Sequence, residues 1–153
     1  MKKRHYFLDQ TLTQTEQEHT ITVPEQIKHI KNILKLTAGE EIVLTNGEGY
    51  GAIFEIIEYQ KEGILVHKVK DLAKQHTRKE ITLACSILKQ DHFELVAQKV
   101  TELGITAIVP LLTDRTVKNG LKDTRIQKII CEAAEQSEQL TFPVLSEALS
   151  LKK

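Results

Sequence analysis

Arg115, Glu132 and Glu135 are the side chains of this sequence best suited to chemistry by type and spacing. Arg115 stands in a polar stretch directly after the apolar run IVPLL. A guanidinium fixed in a loop can stabilise negative charge that develops on a substrate, or bind a phosphate. It can equally be an ordinary solvent-facing arginine. Glu132 and Glu135 belong to the segment EAAEQS and are three apart, which puts them on one face of a helix. A carboxylate within hydrogen-bond reach of a proton can act as a general base. The sequence does not choose between the two.

A second set of residues suits contact with a polyanion. Lys2, Lys3, Arg4, His29, Lys31 and Lys35 are clustered in the first 35 positions. Lys28, Lys31 and Lys35 recur at helical spacing and could track phosphates from one face. An ordinary solvated lysine face has the same spacing. Lys89, Gln98, Lys99 and Glu102 accompany a later helical stretch. Lys99 and Glu102 can pair with each other, or their face can lie beside nucleic acid.

Other patterns exclude chemistry. NGEGYG at Asn46–Gly51 is glycine-rich, but no helix follows it, and Asn-Gly is a strong hairpin signal. The six histidines have no metal-ligand spacing. Cys85 and Cys131 are far apart in apolar surroundings, the pattern of buried reduced thiols and of a cytoplasmic setting.

The elements that must position these residues divide into two regions. Residues 1–72 are β-rich with one helix. Pro24-Glu25 opens a pattern that puts Ile27, Ile30, Ile33 and Leu34 on one helical face, with Gly39 as its stop. Glu41–Thr45 reads as a strand, and Ala52–Tyr59 with Gly63–Val69 as a hairpin. Several short strands around one helix predict a small barrel. Residues 73–79 fit a linker. In residues 80–153 the period changes. Ile81–Leu88 is a continuous apolar run, the mark of a strand buried on both faces. Phe93, Val96, Ala97, Val100 and Leu103 recur at helical spacing, Gly104 ends that helix, and Thr106–Leu112 is a second buried strand. Ile126, Ile129, Ile130, Ala133 and Ala134 form the next helix, and Phe142–Leu145 begins a third strand. Alternating strands and helices predict a parallel α/β sheet, and ligands bind such sheets at the carboxyl ends of the strands. The fold class is therefore two-domain, α+β followed by α/β.

The chain has 153 residues, 41% hydrophobic and 27% charged, which fits one domain or two small ones. Twenty-one basic and 21 acidic residues cancel, so affinity for nucleic acid must come from a local patch. No apolar run is long enough to span a bilayer.

QKVTELG, IVPLLTDRT and EAAEQS, together with RHYF at Arg4–Phe7, HIKNILKLTAGEEI at His29–Ile42 and Asn46-Gly47, resemble the motifs of the ribosomal RNA small subunit methyltransferase E family. The resemblance covers nearly the whole chain, in the family's order. It implies a PUA-like β-barrel followed by a SPOUT-type methyltransferase unit. It implies methylation of N3 of a uridine in small-subunit (16S) rRNA, S-adenosylmethionine as cofactor, and the rRNA or the assembled small ribosomal subunit as partner. A homodimer is implied as well. In that chemistry the uracil N3 proton is lost. Arg115 would stabilise the ring's negative charge or hold the phosphate of a flipped nucleotide, and Glu132 or Glu135 would take the proton. The family motif usually carries an arginine two residues after the serine of EAAEQS, where this chain has Gln139. The family's glycine-rich loop and cofactor pocket follow the equivalent of Leu145. The expectation is that the SPOUT unit here is incomplete and holds no cofactor. The alternative reading is a non-catalytic RNA-binding fragment.

Overall fold

A computed structural model describes residues 4–73, 79–114, 116 and 122–151. The chain forms two compact units, Met1–Gln75 and His76–Lys153.

The first unit is a curled five-stranded sheet. Its strands are β1 (Tyr6–Leu8), β2 (Glu18–Ile21), β3 (Glu41–Thr45), β4 (Gly51–Tyr59) and β5 (Ile64–Asp71), in the spatial order β1-β3-β4-β5-β2. Only the β1–β3 pair is parallel. The expected hairpin is present: β4 and β5 are antiparallel, and the Gln60 amide donates to the Gly63 carbonyl at 2.8 Å across the turn. Alternation along β4 sends Ala52, Phe54 and Ile56 into the core, where they meet Phe7, Ile21, Ile42, Leu44, Ile64 and Val66.

The helix of this unit departs from the expected one. An α-helical turn α1 (Pro24–Lys28) passes directly into a π-helical turn over His29–Ile33. The wider turn changes which residues share a face. Ile30 is fully buried and Ile27 and Leu34 pack on the core, but Ile33 is 66% exposed. The helix also ends sooner than expected. Leu34 caps it, Lys35 takes the left-handed conformation (φ 53°), and Gly39 (φ 85°) belongs to the following turn. Lys35 is therefore outside the helix, and the regular Lys28–Lys31–Lys35 face is not formed.

The second unit is a parallel sheet of β6 (Thr82–Ser86), β7 (Ala107–Leu112), β8 (Val144–Leu145) and β9 (Leu149–Ser150). β7 is central: β6 pairs along one edge and β8 and β9 pair along the other, all parallel. This agrees with the adjacent parallel strands expected from Ile81–Leu88 and Thr106–Leu112. One feature differs. β6 is not buried on both faces; Thr82 and Ala84 are exposed, and Ile81 just before the strand is 54% exposed. Among the described residues it pairs with β7 alone, so it is an edge strand, which an apolar run cannot by itself reveal.

Helices α2 (Gln90–Glu102) and α3 (Asp123–Gln136) supply the apolar cover. Phe93, Ala97, Ile126 and Ile130 pack with Ile108 of β7, and Val100, Cys85 and Leu145 extend that cluster. Gly104 (φ 78°) turns the chain after α2, as expected, but Leu103 is 83% exposed. It is the last residue of the helical pattern and the cap of α2, past the face that meets the sheet.

Candidate functional site

β6 and β7 run side by side in the same direction, with Ser86 opposite Leu111. Their carboxyl ends therefore open onto one sheet edge. Lys89 leaves β6 there and caps the start of α2, exposed. Thr113 and Thr116 follow β7 at the same edge. Their hydroxyls are 3.0 Å apart, the Thr113 amide donates to Thr116 Oγ1 at 2.8 Å, and the Thr116 amide donates to the Thr113 carbonyl at 2.9 Å. Loops at this edge are where ligands enter a parallel sheet. Arg115 stands between these threonines in sequence and lies outside the described residues, as do Lys2 and Lys3.

The acidic candidates occupy a different place. α2 and α3 run in parallel beside each other. Near their starts, Arg125 Nε and Nη2 meet the two Glu94 carboxylate oxygens at 2.5 and 2.7 Å. Past their ends, Gln139 Nε2 donates to the Thr101 carbonyl at 2.6 Å and the Glu102 carbonyl at 3.2 Å. Glu132 and Glu135 are on the last turns of α3, near the Gln139 end. Glu132 is roughly 14 Å along the axis from Asp123 at 1.5 Å per residue. The two carboxylates thus belong to the amino-terminal edge of the sheet, and Thr113 and Thr116 to the carboxyl edge.

Glu135 has a close neighbour. The Cys131 thiol lies 3.7 Å from Glu135 Oε1 and can donate to it. Burial, then the charge of Glu135, pushes the Cys131 pKa up to about 12. Cys131 is therefore held as a thiol; it and Cys85 are half-buried, not fully buried as expected. Cys85 is also a free thiol.

The described basic candidates of the first unit make separate contacts. Arg4 Nε and Nη2 are both 2.7 Å from Glu41 Oε2, so its charge is matched within the fold. The His29 ring packs edge-on against Phe7 with centroids 5.9 Å apart. The Lys31 ammonium is 5.7 Å from the centre of the Tyr59 ring. Tyr59 in turn donates its hydroxyl to the Leu36 carbonyl at 2.5 Å, just beyond the π turn. In the second unit Lys99 makes the ion pair expected of it, with Nζ 2.8 and 2.9 Å from the Glu102 carboxylate.

NGEGYG is the turn between antiparallel β3 and β4. Its amides are consumed locally: Gly47 donates to Thr45 Oγ1, and Glu48 and Tyr50 donate to Asn46 Oδ1. It keeps no fan of amides for an anion. Gly104 is the one described glycine of the second unit and serves the α2 turn. The described residues thus provide no glycine-rich loop of free amides. They also hold no group of three His, Cys, Asp or Glu side chains placed for a metal ion, and no helix long and apolar enough to cross a membrane.

Sequence reasoning missed one built cluster. His19 bridges Asp9 and Glu16 in the first unit. The three are spread over ten positions on a strand and a loop, with no motif spacing to mark them.

Residues 75–153 match the RNA methyltransferase domain family, and residues 21–69 match the RNA methyltransferase PUA domain. The chain belongs to this RNA methyltransferase family, as its motifs implied. The ribosomal RNA small subunit methyltransferase E of Rickettsia conorii is 32% identical over 82% of this chain and 52% of its own length. The Bacillus subtilis protein of that name is 29% identical over 98% of this chain and 62% of its own. The crystal structure of the Neisseria gonorrhoeae methyltransferase E, bound to S-adenosyl methionine, superposes with a TM-score of 0.84 at 25% identity; 97% of this chain and 62% of that chain are covered. The chain thus spans about half to three-fifths of the length of these relatives. The likeness covers both units, a PUA domain and a parallel α/β sheet.

Proposed function

We propose that this chain takes part in methylating N3 of a uridine in small-subunit rRNA, with S-adenosylmethionine as methyl donor. The observation that carries the reading is the match of the parallel α/β unit to the RNA methyltransferase domain, behind a PUA domain in the same chain. Small-subunit rRNA, or the assembled small subunit, is the proposed partner. The first unit, residues 1–72, would hold RNA through Lys2, Lys3, His29, Lys31 and Lys35, with Arg4 joining them where its pair with Glu41 opens. The second, residues 80–153, would add Lys89 and Lys99.

Arg115, which follows β7 in sequence and lies outside the described residues, is the proposed stabiliser of charge on the uracil ring. Glu132 and Glu135 are the proposed general bases. Both stand on the last turns of α3, and a homodimer is the proposed assembly. The test is mass spectrometry of small-subunit rRNA from cells with and without the gene. Loss of one N3-methyluridine on deletion is expected. An unchanged rRNA would defeat the proposal.

A second reading is a non-catalytic RNA-binding module. It is favoured by the match of residues 21–69 to the RNA methyltransferase PUA domain. Purified chain that retains an rRNA oligonucleotide but transfers no labelled methyl group would select it.

A further inference from the structure

The part-buried charge cluster of the first unit is not used by the proposed RNA chemistry. His19 lies on β2 between two carboxylates. Its Nε2 is 2.8 Å from Asp9 Oδ2 and its Nδ1 is 2.9 Å from Glu16 Oε2. Ionised carboxylates only accept hydrogen bonds, so both contacts form together only when both ring nitrogens carry hydrogen. The geometry is that of an imidazolium.

The two carboxylates are not equivalent. The Asp9 side chain is 7% exposed and also accepts from the Thr11 amide at 3.0 Å and the Thr11 hydroxyl at 2.6 Å. The Glu16 side chain is 35% exposed, in the loop that joins β1 to β2. Each carboxylate also has a local threonine partner, Thr11 for Asp9 and Thr13 for Glu16, so the difference between them is burial: Asp9 is closed off from solvent and Glu16 is open to it.

We propose that His19 is a proton-operated clasp on the β1–β2 loop. The imidazolium holds Glu16 and Asp9 at once; loss of the Nδ1 proton releases Glu16, while Nε2–H keeps Asp9. Opening is confined to the part of the loop around Glu16. Leu12 stays buried, the Lys68 amide stays on the Gln17 carbonyl at 2.7 Å, and β2 stays in register with β5, His19 opposite Val66.

The surroundings agree. The hydrogen bond to Asp9, opposed by burial and aided by the bond to Glu16, raises the His19 pKa above its ordinary value. Burial would raise the Asp9 pKa, but its bonds to His19 and Thr11 together lower it. Bonds to His19 and Thr13 lower that of Glu16. From β4, the Phe54 ring is the apolar neighbour, 6.5 Å from the imidazole. From β5, Lys68 faces the same loop, its ammonium 2.7 Å from the Gln14 carbonyl and 3.5 Å from Asp71, and His67 stands opposite Glu18. Tyr50 donates to Asp71 at 2.9 Å and feels the charge of Glu16. Because the folded pKa of His19 is raised, the clasp is closed below the unfolded value of about 6.5 and opens as pH rises through the folded one.

The experiment is a pH titration of the full chain by NMR, reading the His19 ring nitrogens and the amide exchange of residues 13–16. The expected result is two protonated nitrogens at mildly acidic pH, then loss of the Nδ1 proton alone. Exchange of residues 13–16 should rise several-fold with the same midpoint, while the Val66 and His19 amides stay protected. Glu16→Gln should lower that midpoint and uncouple loop exchange from pH. Neutral His19 throughout, or loop exchange that ignores its titration, overturns the clasp.

Discussion

Gln139 donates its side-chain amide to the Thr101 carbonyl at 2.6 Å, and so ties the turn after α3 to the end of α2. The last carbonyls of a helix have no partner within it. A second bond, to the Glu102 carbonyl at 3.2 Å, satisfies another acceptor of the same turn. Glu138, just before, holds the left-handed conformation (φ 59°) and aims the chain toward α2. The residue that stands in place of a motif arginine thus has a structural task of its own.

The first prediction follows. Gln139→Ala should destabilise the second unit by about 1–2 kcal/mol: the Glu102 carbonyl loses the Gln139 donor, and the Thr101 carbonyl keeps only the Gly104 amide, at 2.9 Å. That corresponds to a fall in melting temperature of roughly 4–8 °C per kcal/mol for a unit of this size. Gln139→Arg should hold the wild-type midpoint, because a guanidinium also donates and a cation suits a helix carboxyl end. Calorimetry reads both; an unchanged midpoint in the alanine variant would remove Gln139 from this role.

A second prediction separates two isoleucines that helical periodicity places together. Ile30 is fully buried and Ile33 is 66% exposed, because the π turn lies between them. Ile30→Ala should cost about 2–5 kcal/mol, the range for emptying a packed core site. Ile33→Ala should change stability by less than about 0.5 kcal/mol. Urea unfolding of the pair is the check. Comparable losses would mean that the regular helix, not the π turn, is present in solution.

This contrast marks what the sequence could reveal. Strand β3 and the β4–β5 hairpin were legible because alternation and turn residues are local signals. So were α2 and α3, whose apolar spacing covers three turns or more. The π turn was not legible, because one extra residue per turn depends on how Ile30 and Leu34 meet the sheet. The exposure of β6 was hidden for a like reason: an apolar run does not say whether one or two strands flank it. In the site, the Lys99–Glu102 pair was readable from spacing alone. The His19 cluster was not, since only the folded β1–β2 connection brings Asp9, Glu16 and the imidazole together.

Cys131 supplies a third prediction. Its pKa is pushed up to about 12, first by burial and then by Glu135. The thiolate is the reactive form. At pH 8 the thiolate fraction is then on the order of one in ten thousand, against about a quarter for a free cysteine of pKa near 8.5. Iodoacetamide at that pH should leave Cys131 unmodified over hours, as read by peptide mass spectrometry of the folded chain. Glu135→Gln removes the nearby charge and should speed the reaction. Rapid alkylation of wild-type Cys131 would contradict the burial on which this rests.

The last prediction concerns which cations of the first unit answer to RNA. Arg4 already meets Glu41 at 2.7 Å, so binding a phosphate would cost that carboxylate its Arg4 partner. Lys31 is exposed and lies over the face of Tyr59, at 5.7 Å, a contact that leaves its ammonium able to meet a phosphate. Each phosphate neutralised on a single strand adds about 0.7 to the slope of log affinity against log salt. Lys31→Ala should therefore weaken binding of a uridine-containing rRNA oligonucleotide and reduce that slope by about 0.7. Arg4→Ala should leave the slope nearly as it was, because its charge is compensated before RNA arrives. Fluorescence anisotropy between about 50 and 200 mM salt resolves the difference. If Arg4→Ala lowers the slope as much as Lys31→Ala does, the Arg4–Glu41 pair opens to bind RNA and the first unit presents a wider basic face than its internal pairing indicates.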